Sequence, residues 1–361
     1  MFLAMKDLKY NKSRYSLIVA MLILLTFMVL FLSGLANGLS LATSASIKNG
    51  KANHYILSDD ADSIITRSTL TKEQLQEVSD MTSSKVTPIN LMRMSMYKKD
   101  VQQKLDVTYL AVDKDSFMMP KEIDGTKLSD EENTIYLNKS FVEEDLSIGD
   151  TIIDSASGVE MKIAGFVKDE MYGHSAVGII SLDTFKNIRT NINKNDEVPY
   201  NAIAIKGDDI NNIKLANSVV LSKDDVIKNI PGYAQEQMSI NMILWVLVIV
   251  SAVILGVFFY IITMQKLTEF GVMKALGMEM KTLSAMIISQ VLILAGGSVL
   301  VGNILTFALS SILPSSMPFS LLLGSAVIIS IAFVIISVLV SLVSLRKVAK
   351  IDPLMAIGGR E

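Results

Sequence analysis

KLTEFGVMKALGM occupies Lys266–Met278, between two uncharged apolar stretches, residues 237–265 and 282–345. It carries Lys266, Glu269 and Lys274 together with Gly271 and Gly277. The segment is too short to be a domain and too ordered in character to be a spacer. What it does depends on what flanks it.

Three stretches lack Asp, Glu, Lys and Arg altogether: residues 15–47, 237–265 and 282–345. A helix needs about 20 apolar residues to cross the hydrocarbon core, so the third stretch has room for two. It divides at LPSSMPF, residues 313–319, where Pro314 and Pro318 end helices and Ser315 and Ser316 suit a turn. The fold expected is an α-helical membrane protein with four transmembrane helices and one extracytoplasmic α+β domain inserted between helices 1 and 2. The expected boundaries are a cytoplasmic segment 1–14, helix 1 and stalk 15–43, the outer domain 44–238, helix 2 at 239–264, a cytoplasmic segment 265–283, helix 3 at 284–312, an outer turn 313–319, helix 4 at 320–345 and a cytoplasmic tail 346–361. The first apolar run is too long for a signal-peptide core, so it is expected to be retained as a helix.

Orientation follows from the distribution of basic residues. Lys6, Lys9, Lys12 and Arg14 precede helix 1; Lys266, Lys274 and Lys281 separate helices 2 and 3; Arg346, Lys347, Lys350 and Arg360 follow helix 4. All three clusters share a side only if both termini are cytoplasmic. Composition agrees with a cell-membrane location: of 361 residues 50% are hydrophobic and 19% charged, with mean hydropathy +0.44. Residues 44–238 hold 22 Lys/Arg against 31 Asp/Glu, a balance of −9, while the remainder is at +6. An acidic middle argues against nucleic acid as a partner.

Several chemistries are excluded. There is no cysteine, hence no disulfide or thiolate site, and His54 and His174 are too few for a histidine metal cage. No P-loop and no G-x-S-x-G elbow occurs; NGKAN at 49–53 reads as a loop, and DDADS at 59–63 as a solvated turn. The acidic runs DEEN and EED read as surface. No ionisable side chain lies inside a predicted span, which weakens a channel or proton-coupled reading. The chain is therefore not expected to be an enzyme, and energy for transport must come from elsewhere.

In the middle domain short β-rich runs recur at 107–112, 134–137, 150–153, 160–167, 176–182 and 202–205. TKEQLQEVSDM (71–81) reads as a helix N-capped by Thr71, and SKDDVIKN (222–229) as another.

The whole chain resembles the FtsX-like permeases, membrane subunits of ABC transporters that include macrolide-exporter and lipoprotein-release permeases. EFGVMKALGM (269–278) is similar to that family's signature after its second helix, KVAKIDPLMAIGG (347–359) to its C-terminal signature, and SIGDTI (147–152) with IAGFV (163–167) to a strand pair of its outer domain. The resemblance implies a homodimer in the bilayer with two separate ATP-binding subunits, which hold ATP-Mg. It also implies mechanotransmission from an ATPase-coupling set: Lys266, Glu269, Phe270, Gly271, Lys274, Ala275, Leu276, Gly277, Asp352 and Pro353. FMVLFLSGLANGL (27–39), DEMYGHS (169–175), YAQEQMSINMI (233–243) and the ending IDPLMAIGG further resemble the haem-regulated exporter permeases of Gram-positive bacteria. That branch implies haem as substrate, not as a resident cofactor, and efflux that protects against haem toxicity. Residues expected near haem are Met28, Met171, Tyr172, His174, Glu236 and Met242, with the iron at Tyr172, His174 or Met28, since His, Met and Tyr all serve as axial ligands. Two other readings remain open. One is export of antimicrobial peptides, lipids or drugs, the acidic domain attracting cationic peptides; the other is mechanical regulation of a cell-wall hydrolase.

Overall fold

The computed structural model describes residues 10, 12–101, 103–120, 122–126, 128, 133–194, 198–314 and 317–349. The chain begins with helix α1 (Lys12–Asn49), strand β1 (His54–Ser58), helix α2 (Lys72–Met81) and strands β2 (Lys85–Lys98), β3 (Lys104–Val112), β4 (Ile123–Gly125) and β5 (Thr134–Asn138). Next come β6 (Thr151–Asp154), β7 (Glu160–Val167), β8 (Met171–Tyr172), β9 (Ser175–Ser181), helix α3 (Leu182–Asn193), β10 (Ala202–Lys206), β11 (Ser218–Ser222) and helix α4 (Lys223–Lys228). Helices α5 (Tyr233–Gln265), α6 (Leu267–Ala275), α7 (Met280–Ser310) and α8 (Leu323–Ala349) complete it. Two compact units result, one of residues up to Gly38 and from Ser239 onward, the other Leu39–Met238.

The helical unit holds most of each of the four helices that, among the described residues, are long and apolar enough to cross a membrane: Tyr15–Asn49, Tyr233–Gln265, Met280–Ser310 and Leu323–Val343. Its core joins Ile18, Leu22 and Leu25 of α1 to Leu255 and Phe259 of α5, Ile287, Val291 and Leu294 of α7 and Phe333 of α8. Small residues set the spacing. A Cβ on Gly302 would sit 2.9 Å from Thr26 Cγ2, and one on Gly38 would fall on the Pro318 carbonyl, so α1 lies directly against α7 and the chain at Pro318 and Phe319. The Ser320 amide donates to Gly34 O at 2.9 Å, and Asn303 Nδ2 to Ser330 Oγ at 2.8 Å between α7 and α8. Along α5 the apolar side chains Trp245, Ile249, Val253 and Val257 are exposed. Hydrocarbon accepts such a face at no cost, whereas water does not.

The other unit is built on one mixed sheet in the order β11-β1-β10-β2-β3-β9-β5-β7-β4, with β6 pairing β2 and β7, and β8 pairing β9. The β3–β9 and β5–β7 pairs are parallel and the others antiparallel. Both faces are covered, and alternation sorts each strand between them. On β3, Val107, Tyr109 and Ala111 enter a core with Phe185 and Ile188 of α3, while Leu110 and Val112 enter a second core with Ile47 of α1. The β5–β7 register slips between Ile135 and Tyr136, passing Ala164. That bulge turns Phe166 to the side that Met161 and Ile163 face.

All six β-rich runs are strands, and Thr71 caps α2 in a reciprocal capping box with Gln74. Three features differ from expectation. Helix α1 runs to Asn49, and its last turns from Leu39 belong to the sheet unit. Helix α5 starts at Tyr233, after Pro231 and Gly232 (φ +86°), because the polar residues Gln235, Glu236 and Gln237 are good helix formers. Strand β2 and helix α3 were absent from the sequence reading. Strand β2 mixes Arg93, Ser95 and three methionines with Pro88, whose missing N–H is harmless because pairing to β3 starts only at Ile89.

Gly165 and Gly125 are crossed at the β7–β4 pair; a Cβ on Gly165 would lie 2.6 Å from Asp124 O and 3.0 Å from Gly125 Cα. We expect Gly165→Ala to lower unfolding stability by about 1–3 kcal/mol, the usual cost of overpacking, read by denaturant titration of the purified chain. An unchanged midpoint would contradict this close crossing.

Candidate functional site

The sheet unit gathers polar side chains where α1 ends and α5 begins. Tyr172 closes β8, and Gly173 (φ +56°) and His174 (φ +61°) form the tight turn into β9. A non-glycine residue at positive φ needs surroundings that hold it. Here the Gly173 amide donates to Thr43 O at 2.9 Å and the His174 amide to Ala42 O at 3.0 Å, both carbonyls of α1. The turn is thereby fastened to the helix and aims the imidazole along it. His174 Nε2 lies 3.1 Å from Thr43 Oγ1 and 3.3 Å from Glu236 Oε2. Thr43 Oγ1 is also 3.1 Å from Glu236 Oε2 and 3.1 Å from Leu39 O. Its single proton serves one of those two acceptors, and its lone pairs can accept from Nε2–H. Ser40 and Tyr233 hydroxyls meet at 3.1 Å beside this knot. The His174 side chain is 52% exposed and that of Glu236 21%, so the imidazole edge can be reached from outside.

Behind the turn lies Glu170, 6% exposed. Burial, reinforced by the neighbouring Asp169 charge, pushes its carboxyl up to about 7. Its backbone oxygen accepts from Asn138 Nδ2 at 2.7 Å and Val177 N at 3.0 Å, which fixes the residue at the hairpin base.

Of the predicted haem residues, the structure brings His174 and Glu236 together. Tyr172 is 7% exposed and packs in the sheet core with Ile47 and Val177, and burial pushes its phenol up, which disfavours the tyrosinate that iron ligation uses. Met171 is partly buried in β8. Met28 and Met242 are exposed members of the helical unit, 45% and 63% accessible. Sequence reading missed Thr43, Ser40 and Tyr233, the first two because they lie in an uncharged run read as span. Glu170 sits inside the quoted DEMYGHS motif, but nothing in the sequence signals that it is buried.

In the helical unit, α5 ends at Gln265, Lys266 (φ −93°, ψ 6°) makes the break, and α6 follows; Gly277 (φ +89°) then turns the chain toward α7. The expected coupling set divides into two. Glu269, Ala275, Leu276 and Gly277 are exposed, Leu276 at 82%, and Lys274 is partly so. Lys266 and Phe270 are interior, at 2% and 3%, and Gly271 is buried with them, so these three cannot face a partner as they stand. Asp352 and Pro353 lie outside the described residues.

Residues 241–353 match the family model described as FtsX-like permease C-terminal. Over its full length the chain is 30% identical to "Putative hemin transport system permease protein HrtB" of Staphylococcus haemolyticus, covering 100% of both chains. The chain belongs to the FtsX-like permease family. A protein of the same name from Staphylococcus epidermidis (strain ATCC 12228) is 28% identical over 99% of each chain. The likeness to the solved extracellular domain of the noncanonic ABC-type transporter YknZ from Gram-positive bacteria is slight: TM-score 0.33 and 13% identity, over 43% of this chain and 84% of that one. FtsX-like permeases of this kind are multi-pass subunits of ABC transport systems, which implies an ATPase partner.

The Glu170 carboxyl gives a pH signature. The folded state favours its neutral form, so the contribution to stability is complete below the ordinary glutamate range near 4.5 and is lost as pH rises through about 7. The loss is up to about 3 kcal/mol. We expect Glu170→Gln to raise the melting temperature of the full chain at pH 8 while leaving it unchanged at pH 4.5. Equal effects at both pH values would contradict a buried, neutral carboxyl.

Proposed function

We propose that this permease works with a separate ATP-hydrolysing subunit to extrude haem, taking it from the outer leaflet and releasing it outside the cell. The observation that carries the substrate is the full-length similarity to proteins named for hemin transport. The geometry that suits it is the accessible imidazole of His174 with the Glu236 carboxylate at 3.3 Å. A neutral imidazole nitrogen can ligate ferric iron. A neighbouring carboxylate favours the positive charge that a ferric porphyrin carries.

In this reading both termini are cytoplasmic, following the basic clusters, and residues 44–238 are outside. The chain acts as a homodimer in the bilayer with two ATPase subunits. Exposed Glu269, Ala275, Leu276 and Gly277, with Lys274, form the docking face for the ATPase, and the tail with Asp352 and Pro353 adds to it. Nucleotide-driven closure moves α6, and α1 and α5, which contribute to both units, carry that movement outward. The uncharged spans support mechanical transmission over an aqueous pathway. Haem, largely apolar and planar, partitions into the leaflet and enters sideways; Met28 and Met242 are exposed on the apolar helices in its path. A second reading, capture of cationic peptides, is favoured by the −9 balance of residues 44–238.

Haemin titration of the permease–ATPase complex in lipid, followed by visible spectra and ATP hydrolysis, tests the substrate. We expect a saturable Soret shift and altered hydrolysis, with His174→Ala plus Glu236→Gln weakening haemin binding by about tenfold or more, the loss of one good contact. An active complex blind to haemin, but responsive to cationic peptides, would favour the second reading. For docking, Leu276→Asp should leave the fold intact, since the residue is exposed, and reduce co-purified ATPase several-fold. Undiminished co-purification would exclude α6 as the docking face.

A further inference from the structure

Lysines at a membrane edge ordinarily extend their ammonium groups into water or headgroups. Lys266 does the opposite: it is 2% exposed, although it follows directly on an uncharged 29-residue stretch, 237–265, where headgroups would be within reach. Burial of an ammonium is costly unless partners replace its hydration, so the side chain is held inward by what surrounds it. Its Nζ lies 5.6 Å from the centroid of the Tyr15 ring of α1, within cation–π range. The small cavity around it is lined by Tyr15, Phe259, Phe270, Ile287 and Gln290, which belong to α1, α5, α6 and α7. Gln290 is itself 5% exposed, an amide held inside the helical unit. The Lys266 backbone also spans the break. Its N–H donates to Ile262 O at 3.2 Å, closing α5, and its carbonyl accepts from Phe270 N at 3.0 Å, opening α6.

One residue therefore ties the pivot between α5 and α6 to α1 and lies against α7. We infer that Lys266 is a positioning residue for coupling: its buried ammonium, clasped over Tyr15, makes α6 and α1 move together, so that a push on α6 reaches α1 and is not absorbed at the α5–α6 break. This rests on the reading of α6 as the docking helix, but it assigns Lys266 a role inside the permease and not at the ATPase contact.

Because the chain has no cysteine, a single environment-sensitive fluorophore can be placed by Lys48→Cys, an exposed position on the last turn of α1, in the full permease–ATPase complex in lipid. A non-hydrolysable ATP analogue should change its emission in the otherwise unaltered chain. In Lys266→Gln we expect normal co-purification of ATPase, an unchanged KM for ATP, and an emission change reduced at least fivefold. Lys266→Arg, which retains a cation for the ring, should restore most of it. Tyr15→Phe, which keeps the ring, should behave as the unaltered chain, and Tyr15→Leu as Lys266→Gln; this pair decides the matter if Lys266→Gln fails to fold. Lost co-purification with intact signal per bound ATPase would make Lys266 a docking contact and overturn the inference. Full signal in Lys266→Gln or in Tyr15→Leu would overturn it as well. If Leu276→Asp leaves both co-purification and signal unchanged, it is the docking reading that fails. If Leu276→Asp abolishes association while Lys266→Gln stays fully coupled, only the clasp fails.

Discussion

Two backbone hydrogen bonds, from Gly173 and His174 to the carbonyls of Thr43 and Ala42, decide how the sheet unit meets the last turns of α1. Carbonyls within a helix are already engaged along the helix axis, and a second donor must come from the side, from a turn narrow enough to reach them. A glycine followed by a residue at positive φ supplies that turn. Once it is seated, the imidazole, the Thr43 hydroxyl and the Glu236 carboxylate have little freedom, because each lies within 3.3 Å of the other two. The same seat draws in Tyr172 and Glu170 behind it, one as core and one as a buried acid. Tyr172 is thus held in the packing, while the adjacent His174 side chain stays half exposed.

The helical unit obeys a different constraint. In an apolar surrounding a polar group is least costly when a partner lies close by, and several side chains here have one within their own helix. Thr263, Thr306 and Ser337 each donate to the carbonyl four residues back, at 2.6, 2.8 and 2.8 Å, which makes them compatible with an apolar environment. Asn303 bridges to Ser330 between α7 and α8. Glycines at 34, 38 and 302 allow helix and turn backbones to approach where no hydrophobic driving force exists between helices. Ionisable groups are confined to the ends of these helices, and Lys266 alone among the described coupling-segment lysines is drawn into the packing.

Much of this architecture is legible in the sequence because its signals are long or local. Three uncharged stretches, the last long enough for two helices, cannot be much else, and Thr71 at the head of a run of good helix formers announces α2. Strand β2 was not legible: its polar face and Pro88 are tolerated only because β10, β3 and β6 pair with successive parts of it, which is non-local information. Helix α3 was hidden because Leu182 reads as the end of the strand before it, although Ser181 accepting from Thr184 N at 3.0 Å is an ordinary cap. At the site, motif resemblance named this hairpin but could not say which of Tyr172 and His174 turns inward. It likewise grouped Lys266 with Glu269 and Leu276, because a sequence pattern records adjacency and not burial.

Vectorial movement of haem, if this permease drives it, is read from transfer to an acceptor outside the membrane. Haemin is dissolved in the bilayer of vesicles that carry the permease–ATPase complex with its ATPase facing inward, and apomyoglobin is supplied outside. ATP trapped in the vesicles should accelerate formation of haem-loaded myoglobin over the same vesicles without ATP or without the permease. Equal rates in all three would contradict haem efflux and leave an FtsX-like permease with another cargo.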